Sequence, residues 1–381
     1  MRRAIRNPSL ARRKHLNIKA AVFYKPNTPF QIETLQLADP RVGEVLIKMG
    51  SVGVCHSDWH LMTGATPHPT PCVAGHEGSG IVQEVGAGVD RVRVGDHVVL
   101  NWAPNCGNCY YCLHDRPSLC ETFVKPIWAG TMMDGTTRLS MNDRPVFHFS
   151  SLACFAEYAI APQECCVPIN KRVPFPIAAL IGCAVTTGIG AVLKTAHVER
   201  DSSVAVYGSG GVGLSIVLGA RYARASRIIA VDRVASKRDV ALRCGATEFL
   251  VADGSTVDRI RSLTEGRGAD YVFEAIGIPA VQEECLHAVR PGGTLVLAGI
   301  SPVGSSTNLP GAIVTRQEKT IMGSYYGTAN TAVDFPRYAD LYLDRTLPLD
   351  LLISKTYALD QINEAYADML KGNIARGVVV F

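Results

Sequence analysis

Between residues 204 and 217 the chain reads VAVYGSGGVGLSIV, two apolar runs hinged on glycines. Gly208, Gly210 and Gly213 stand in G-x-G-x-x-G spacing, with Gly211 as an extra glycine and Val212 beside it. A strand that turns sharply into a helix needs the first glycine. The second lets backbone approach a pyrophosphate, and the third lets the helix pack closely. The helix N-terminus then offers unpaired N–H groups and the positive end of its dipole to phosphate. Asp232 ends the next apolar run, IIAVD, 19 residues after Gly213. A carboxylate there accepts hydrogen bonds from an adenosine ribose and repels a 2′-phosphate, so NAD is the expected cofactor. Arg233, next to the acid, pulls the other way. A glycine turn with a solvated aspartate is the plainer alternative, and the strand–turn–helix setting argues against it.

The same style continues downstream. The runs VAVYG, IIAVD, FLVA, YVFEAI and TLVLAGI alternate with helical stretches, which builds a doubly wound parallel-sheet Rossmann domain over 185–321. Upstream, from Lys19 to about Leu100, β-favouring runs such as AAVFY and VGDHVVL are punctuated by Gly, Pro and Asp, as in a β-rich domain. Residues 101–150 read as a long irregular loop followed by a return to strands. The tail carries a helical stretch, INEAYADMLKG, and closes on the strand-like RGVVVF. At 381 residues the chain exceeds one comfortable core. The expected class is α/β, with a β-rich domain over 19–184, the Rossmann domain inserted after it, and a final stretch over 322–381.

The formal charge of +4 comes from the leader, where Arg2, Arg3, Arg6, Arg12, Arg13 and Lys14 precede the first acid, Glu33. Setting those six aside leaves 32 basic against 34 acidic residues. A nucleic-acid partner requires basic charge on the fold itself, so none is expected. Residues 1–18 are read as an unstructured basic extension or the product of an upstream start site, in preference to a transit peptide. Ile177–Leu193 and Val204–Ala220 are almost uncharged, yet glycine-broken and just short of spanning length. They are read as buried α/β segments, and no membrane association is expected. Twelve cysteines without an export signal point to a reducing, cytoplasmic setting, where clustered thiols bind metal or catalyse.

Cys106, Cys109, Cys112 and Cys120 form C-x2-C-x2-C-x7-C in the irregular region. Four thiolates close a tetrahedral shell round Zn2+ and leave no open position, as in a structural site. An iron–sulfur cluster also uses four cysteines, but the spacing fits it poorly and no proline follows the last one. Disulfides are the other alternative, against the compartment. Three further residues stand apart: Cys55 in GVCHSDWH, His76 in AGHEGSG and Cys183 in IGCAVTTG. Taken singly, each has a bland reading as buried packing or a satisfied histidine.

In combination they do not. The order Cys-His-Ser-Asp, Gly-His-Glu-Gly, the four-cysteine loop, Gly-Cys, Gly-x-Gly-Gly-x-Gly and a C-terminal Arg-Gly resembles the zinc-containing medium-chain alcohol dehydrogenases, from about Lys19 to Phe381. The resemblance implies a GroES-like β-rich catalytic domain, a Rossmann domain and a last stretch that returns to the first. It implies that Cys55, His76 and Cys183 hold a catalytic zinc, giving two zincs per chain. Two thiolates and a neutral imidazole leave such an ion an open position and little net charge, suited to a Lewis acid acting on an alcohol. Ser57 resembles the family's proton-relay hydroxyl, with His60 as the shuttle to solvent. Glu77 and Asp58 resemble its supporting acids, Asp58 orienting His76. His56 and Arg376 resemble pyrophosphate contacts, Lys237 a residue near the adenosine ribose, and Thr187 a further cofactor contact. Trp102, Phe149 and Thr66 fall where the family lines its substrate pocket.

The departures narrow the reading. The glutathione-dependent formaldehyde dehydrogenase branch has an Arg where this chain has Val124, and acids where it has Thr66 and His68. Polyol dehydrogenases commonly carry a Glu in place of Cys183. The expected function is hydride transfer between a primary or secondary, aliphatic or aromatic alcohol and NAD, giving an aldehyde or ketone, in a homodimer or homotetramer. The alternatives are an aldehyde reductase, a dehydrogenase whose tightly held nicotinamide is recycled by another acceptor, and, from a different class, a non-catalytic NAD-responsive protein.

Overall fold

Along the strand Ser203–Tyr207, Val204 and Val206 face one apolar cluster while Ala205 and Tyr207 face another, so the strand is covered on both sides. The structure, a computed structural model, describes residues 15–372 and 374–381. Six parallel strands lie in the order Glu248–Val251, Arg227–Asp232, Ser203–Tyr207, Ala269–Glu274, Val289–Leu297 and Thr320–Gly323. Strand order reverses beside Ser203–Tyr207. That opens a crevice at the carboxyl ends, and Gly208 begins there with φ +98°.

Two sheets build the rest. One closes as a barrel from Leu16–Phe23, Gln31–Leu37, Leu139–Met141, Arg144–His148 and Cys72–Val73. The other runs Cys166–Pro168, His97–Leu100, Gly78–Val85, Glu44–Gly53, Arg376–Val380 and Ile353–Tyr357, with Tyr158–Pro162 also on Glu44–Gly53. Arg376–Val380 therefore lies antiparallel on a strand more than 300 residues earlier, which carries the C-terminus back to the first domain. Helix Ile362–Lys371, just before that strand in the chain, packs on the first domain too. Tyr366, 2 % exposed, sits 5.6 Å from the Phe30 ring and stacks on Trp59.

Several boundaries differ from the sequence reading. The first strand begins at Leu16, within the stretch read as unstructured, and the basic residues 1–14 lie outside the described residues. The division at 184/185 falls inside one helix, Phe175–Thr195, and that at 321/322 inside the sixth parallel strand. Apolar burial and hydrogen bonding continue across both points, and composition does not mark them. Phe175–Thr195 is also longer than its uncharged core suggested: 21 residues with mean hydropathy 1.9, which is long enough to span a bilayer. Its most apolar stretch is 89 % buried against the fold, so its hydrophobicity serves the core. Residues 101–150 hold more order than expected. Helices Tyr110–Leu113 and Glu121–Ala129 lie where an irregular loop was expected, and the paired strands Leu139–Met141 and Arg144–His148 are the expected return to strands. Short elements built round metal-type ligands and Pro126 leave little periodicity to read.

Candidate active site and metal centres

Cys55 ends the strand side of a turn and caps the helix His56–Thr63, so its sulfur lies at the positive end of the helix dipole. His76 and Glu77 precede the strand Gly78–Val85. Cys183 lies inside a π-helical turn, Ile181–Val185, of the long buried helix. A π turn frees carbonyls from the regular ladder. Here Thr186 Oγ1 donates to the Ile181 carbonyl at 2.7 Å and the Tyr326 hydroxyl donates to that of Gly182. The three segments bring the ligand atoms of Cys55, His76 and Cys183 within 4.8 Å of one another, all buried.

The surroundings orient this cluster. Asp58, fully buried, accepts from the Gly75 N–H at 2.8 Å and places its other oxygen 3.2 Å from His76 Nδ1. Both ring nitrogens of His76 are buried without a hydrogen bond, Nε2 with no charged partner either, and the ring lies beside the two sulfurs. An orphaned imidazole nitrogen beside two thiols suits a zinc ion, which the three residues fit as donors. The Cys183 thiol hydrogen-bonds to the Cys55 sulfur and, against burial, holds Cys55 well below the ordinary thiol range; the charges of Arg376 and His76 add to this. Glu77 Oε1 accepts from the Ala184 N–H at 2.9 Å and from Arg376 Nη2 at 2.6 Å. Burial pushes Glu77 up to about 7, with Arg376 opposing. Only a glycine fits at residue 53, since a Cβ there falls 1.7 Å from Glu77 Oε2.

Arg376 also reaches the nucleotide side. A side chain at Gly211 would meet its guanidinium at 3.0 Å, so one arginine touches both Glu77 and the glycine turn. Gly211 starts the helix Gly211–Tyr222, with Val212 half-buried in its first turn. Thr187 lies on the long helix, where neighbouring Gly188 packs so closely that a Cβ would stand 2.5 Å from the Val212 carbonyl. Asp232, 7 % exposed, accepts from the Ser209 N–H at 2.7 Å, the Val234 N–H at 3.0 Å and Lys237 Nζ at 3.0 Å. A carboxylate offers about four acceptor positions, so capacity remains for a ribose hydroxyl. Arg233 points to solvent.

Ser57 Oγ lies 3.7 Å from Cys55 Sγ. His60 is three residues on along the same helix and half-buried, with no direct hydrogen bond to Ser57 among the described residues. His56 is exposed at the helix start. The rings of Phe149 and Trp102 stand edge-on to His76 at 5.7 and 6.2 Å. Thr66 follows the helix, its N–H bonded to the His60 carbonyl at 3.0 Å. Two aromatic neighbours escaped the sequence reading. Tyr325 meets Trp102 at 5.4 Å and Tyr326 at 4.3 Å. Their signal was the paired tyrosines just beyond the last parallel strand. The Arg376–Glu77 contact joins residues 299 apart and had no local signal.

The second cluster is Cys106, Cys109, Cys112 and Cys120. Four sulfurs about 2.3 Å from a common centre in a tetrahedron stand about 3.8 Å apart. The observed separations are 3.9 Å (Cys106–Cys112), 3.5 Å (Cys109–Cys112) and 3.8 Å (Cys109–Cys120), so the set fits zinc. Burial works against the Cys106 thiolate, but bonds from Thr122 and the Asn108 and Cys109 N–H groups bring that thiol down to about 6. Only Cys120, Phe123 and Ile127 form a buried apolar cluster in this lobe, too little to hold it. Cys106→Ser should therefore cost several kcal/mol, lowering the thermal midpoint by on the order of 5–10 °C while the folded remainder keeps its turnover. Differential scanning calorimetry alongside activity checks this. Lost turnover with fold and quaternary structure intact would count against a structural ion.

Known proteins share this design. The alcohol dehydrogenase GroES-like domain family matches residues 41–171, and the zinc-binding dehydrogenase family matches 211–344. A putative alcohol dehydrogenase D of Mycobacterium tuberculosis is 38 % identical over 366 residues, covering 95 % of this chain and 99 % of that protein. Among solved structures, an alcohol dehydrogenase zinc-binding domain protein from Burkholderia ambifaria superposes with a TM-score of 0.92 at 34 % identity. The benzyl alcohol dehydrogenase of Acinetobacter calcoaceticus does so at 0.90 and 31 %. Both alignments cover 96 % of this chain and 99 % of the other.

Proposed function

The chain belongs to the zinc-containing medium-chain alcohol dehydrogenases, oxidoreductases that act on alcohols with zinc and NAD, and from that premise we propose how its residues divide the work. Cys55, His76 and Cys183 hold the catalytic zinc; the three donors within 4.8 Å and the unpartnered His76 Nε2 carry this reading. When bound, the ion supplies Lewis acidity toward an alcohol oxygen at the position the donors leave open. Cys106, Cys109, Cys112 and Cys120 hold the structural one.

Asp58 keeps the His76 proton on Nδ1, so that Nε2 remains a donor to metal. Ser57 Oγ, beside Cys55, would accept the hydroxyl proton of the alcohol, and the half-buried His60 on the same helix would hand it on to solvent. The turn Gly208–Gly213 with His56 and Arg376 binds the pyrophosphate, Thr187 lies behind it, and Asp232 with Lys237 takes the adenosine ribose. Glu77 binds Arg376 from below and the Ala184 N–H beside Cys183, which ties the nucleotide side to the metal side.

Trp102 and Phe149 wall the reaction centre with aromatic surface, which suits an aliphatic or aromatic primary or secondary alcohol. The likeness to a benzyl alcohol dehydrogenase supports that class. The open edge of Thr320–Gly323 suits a homodimer or homotetramer built across the sheet edge. Twelve free cysteines suit a cytoplasmic location. The test is metal content together with NAD+ reduction on ethanol, hexanol, benzyl alcohol, geraniol and sorbitol. Two zincs per chain and turnover of an unbranched or aromatic alcohol are expected. One zinc and no activity on any of the five would overturn the catalytic assignment.

A further inference from the structure

Each of the two peptide groups that flank Cys183 is held from outside its own helix. On the N-terminal side the Gly182 carbonyl accepts from the Tyr326 hydroxyl. On the C-terminal side the Ala184 N–H donates to Glu77 Oε1 at 2.9 Å. All of this is buried in the π turn Ile181–Val185, where the regular ladder is loosened and side chains from elsewhere decide how the peptides lie. Glu77 adjoins His76, so one of the two holds already belongs to the centre. Tyr326 arrives from 144 positions further along the chain and has no part in the mechanism above.

The backbone is bent to put Tyr326 there. Its φ is +54°, in the left-handed region that a bulky aromatic residue rarely occupies, and Gly327 follows at +64°. Gly327 lies directly on the helix that carries Cys183. A Cβ on Gly327 would stand 2.8 Å from Gly190 Cα, and a Cβ on Gly190 would stand 2.8 Å from Gly327 Cα. Two bare backbones therefore set the distance between Tyr326 and the π turn, with no side chain between them to give way. The Tyr326 ring is 2 % exposed, tilted against Trp102 at 4.3 Å and edge-on to Phe335 at 6.5 Å, which keeps it from swinging aside. Strain of this kind persists only where the surroundings over-determine it, and here they aim one hydroxyl at the peptide of a metal-type ligand.

We propose that Tyr326 is a positioning residue for the catalytic centre: its hydroxyl fixes the Gly182–Cys183 peptide, and with it the direction in which Cys183 Sγ meets Cys55 and His76. This rests on the reading above that assigns those three residues to the catalytic zinc. Phenylalanine at position 326 keeps a ring between Trp102 and Phe335 and removes only the bond to Gly182. Cys183 then keeps one external hold of two, the donor set closes less tightly, and the ion is held less well.

The experiment follows zinc release from the holoprotein to a chromogenic chelator for wild type, Tyr326→Phe and Cys183→Ala, with calorimetric scans of each. Cys183→Ala supplies the phase that belongs to the four-cysteine ion alone. In Tyr326→Phe one zinc per chain should leave about 10-fold to 100-fold faster than in wild type, while the four-cysteine phase stays where it was. Loss of one atom from a ring that keeps its neighbours leaves the protein folded, with a thermal midpoint lower by a few degrees at most. A Tyr326→Phe protein that releases both ions at wild-type rates, whatever its midpoint, overturns the positioning role and leaves the dehydrogenase reading standing. A wild-type protein that holds a single zinc, released in the Cys183→Ala phase, overturns the catalytic-zinc reading and this proposal with it.

Discussion

Replacing Cys183 by alanine should abolish turnover, by at least about 10⁴-fold, in a protein that still folds and still binds NAD; Cys55→Ala should behave alike. The size follows from what a Lewis acid contributes at a reacting oxygen: several kcal/mol, at about 1.4 kcal/mol per tenfold. Cys183 lies in a buried apolar helix, so an alanine leaves a small void and no stranded charge. The helix keeps its π turn, because that turn is pinned by Thr186 and Tyr326 through the carbonyls of residues 181 and 182. The glycine turn proposed to bind nucleotide is built on other segments. Metal analysis should show one zinc lost per chain, and titration calorimetry should show NAD affinity within a few fold of wild type. A fully active variant lacking that metal would sink the assignment.

The two metal-type clusters differ in how far sequence alone could reveal them. The four loop cysteines lie within fifteen positions, and a ligand spacing that short is itself a geometric statement: the sulfurs come within 4.8 Å of one another with little help from the rest of the chain. Cys55, His76 and Cys183 come from a helix cap, a strand entry and a π turn, and only tertiary packing brings them together. No periodicity predicts that, so family resemblance supplied the grouping. Glu77 and Arg376 go a step further. Each was read separately, as a supporting acid and a pyrophosphate contact, and their pairing depends on the C-terminal strand lying antiparallel on Glu44–Gly53.

For the fold, the parallel sheet was the legible part, because strands buried on both faces spell near-continuous apolar runs and the helices between them keep their period. Its first five strands stand where those runs stood. The sixth, Thr320–Gly323, is an exposed edge of four residues and carries too few apolar positions to announce itself. The substrate compartment was half legible. Trp102 and Phe149 were placed by family resemblance, whereas Tyr325 reaches Trp102 only through the fold.

Gly213→Ala should weaken NAD binding by about 30-fold or more and lower the melting temperature as well, whereas Gly210→Ala should weaken NAD binding and leave the melting temperature unchanged. The two glycines are needed for different reasons. A Cβ on Gly213 falls 1.7 Å from the Gly208 carbonyl oxygen and 2.8 Å from its carbon. Those are backbone atoms, with no rotamer to move them aside, so the helix Gly211–Tyr222 must slide off the strand that precedes it. Overpacking of this kind costs about 2–3 kcal/mol, felt by the free protein and passed on to the ligand through misaligned N–H groups. A Cβ on Gly210 meets nothing within 4 Å and its φ of −89° suits any residue, so the free protein loses nothing. That space is where a pyrophosphate must approach the backbone, and a methyl group there obstructs the ligand alone. Paired calorimetric scans and NAD titrations on both variants separate the two causes. A Gly213→Ala protein with wild-type stability and affinity would refute the close-packing role, and a Gly210→Ala protein that melts early but binds NAD normally would refute the approach role.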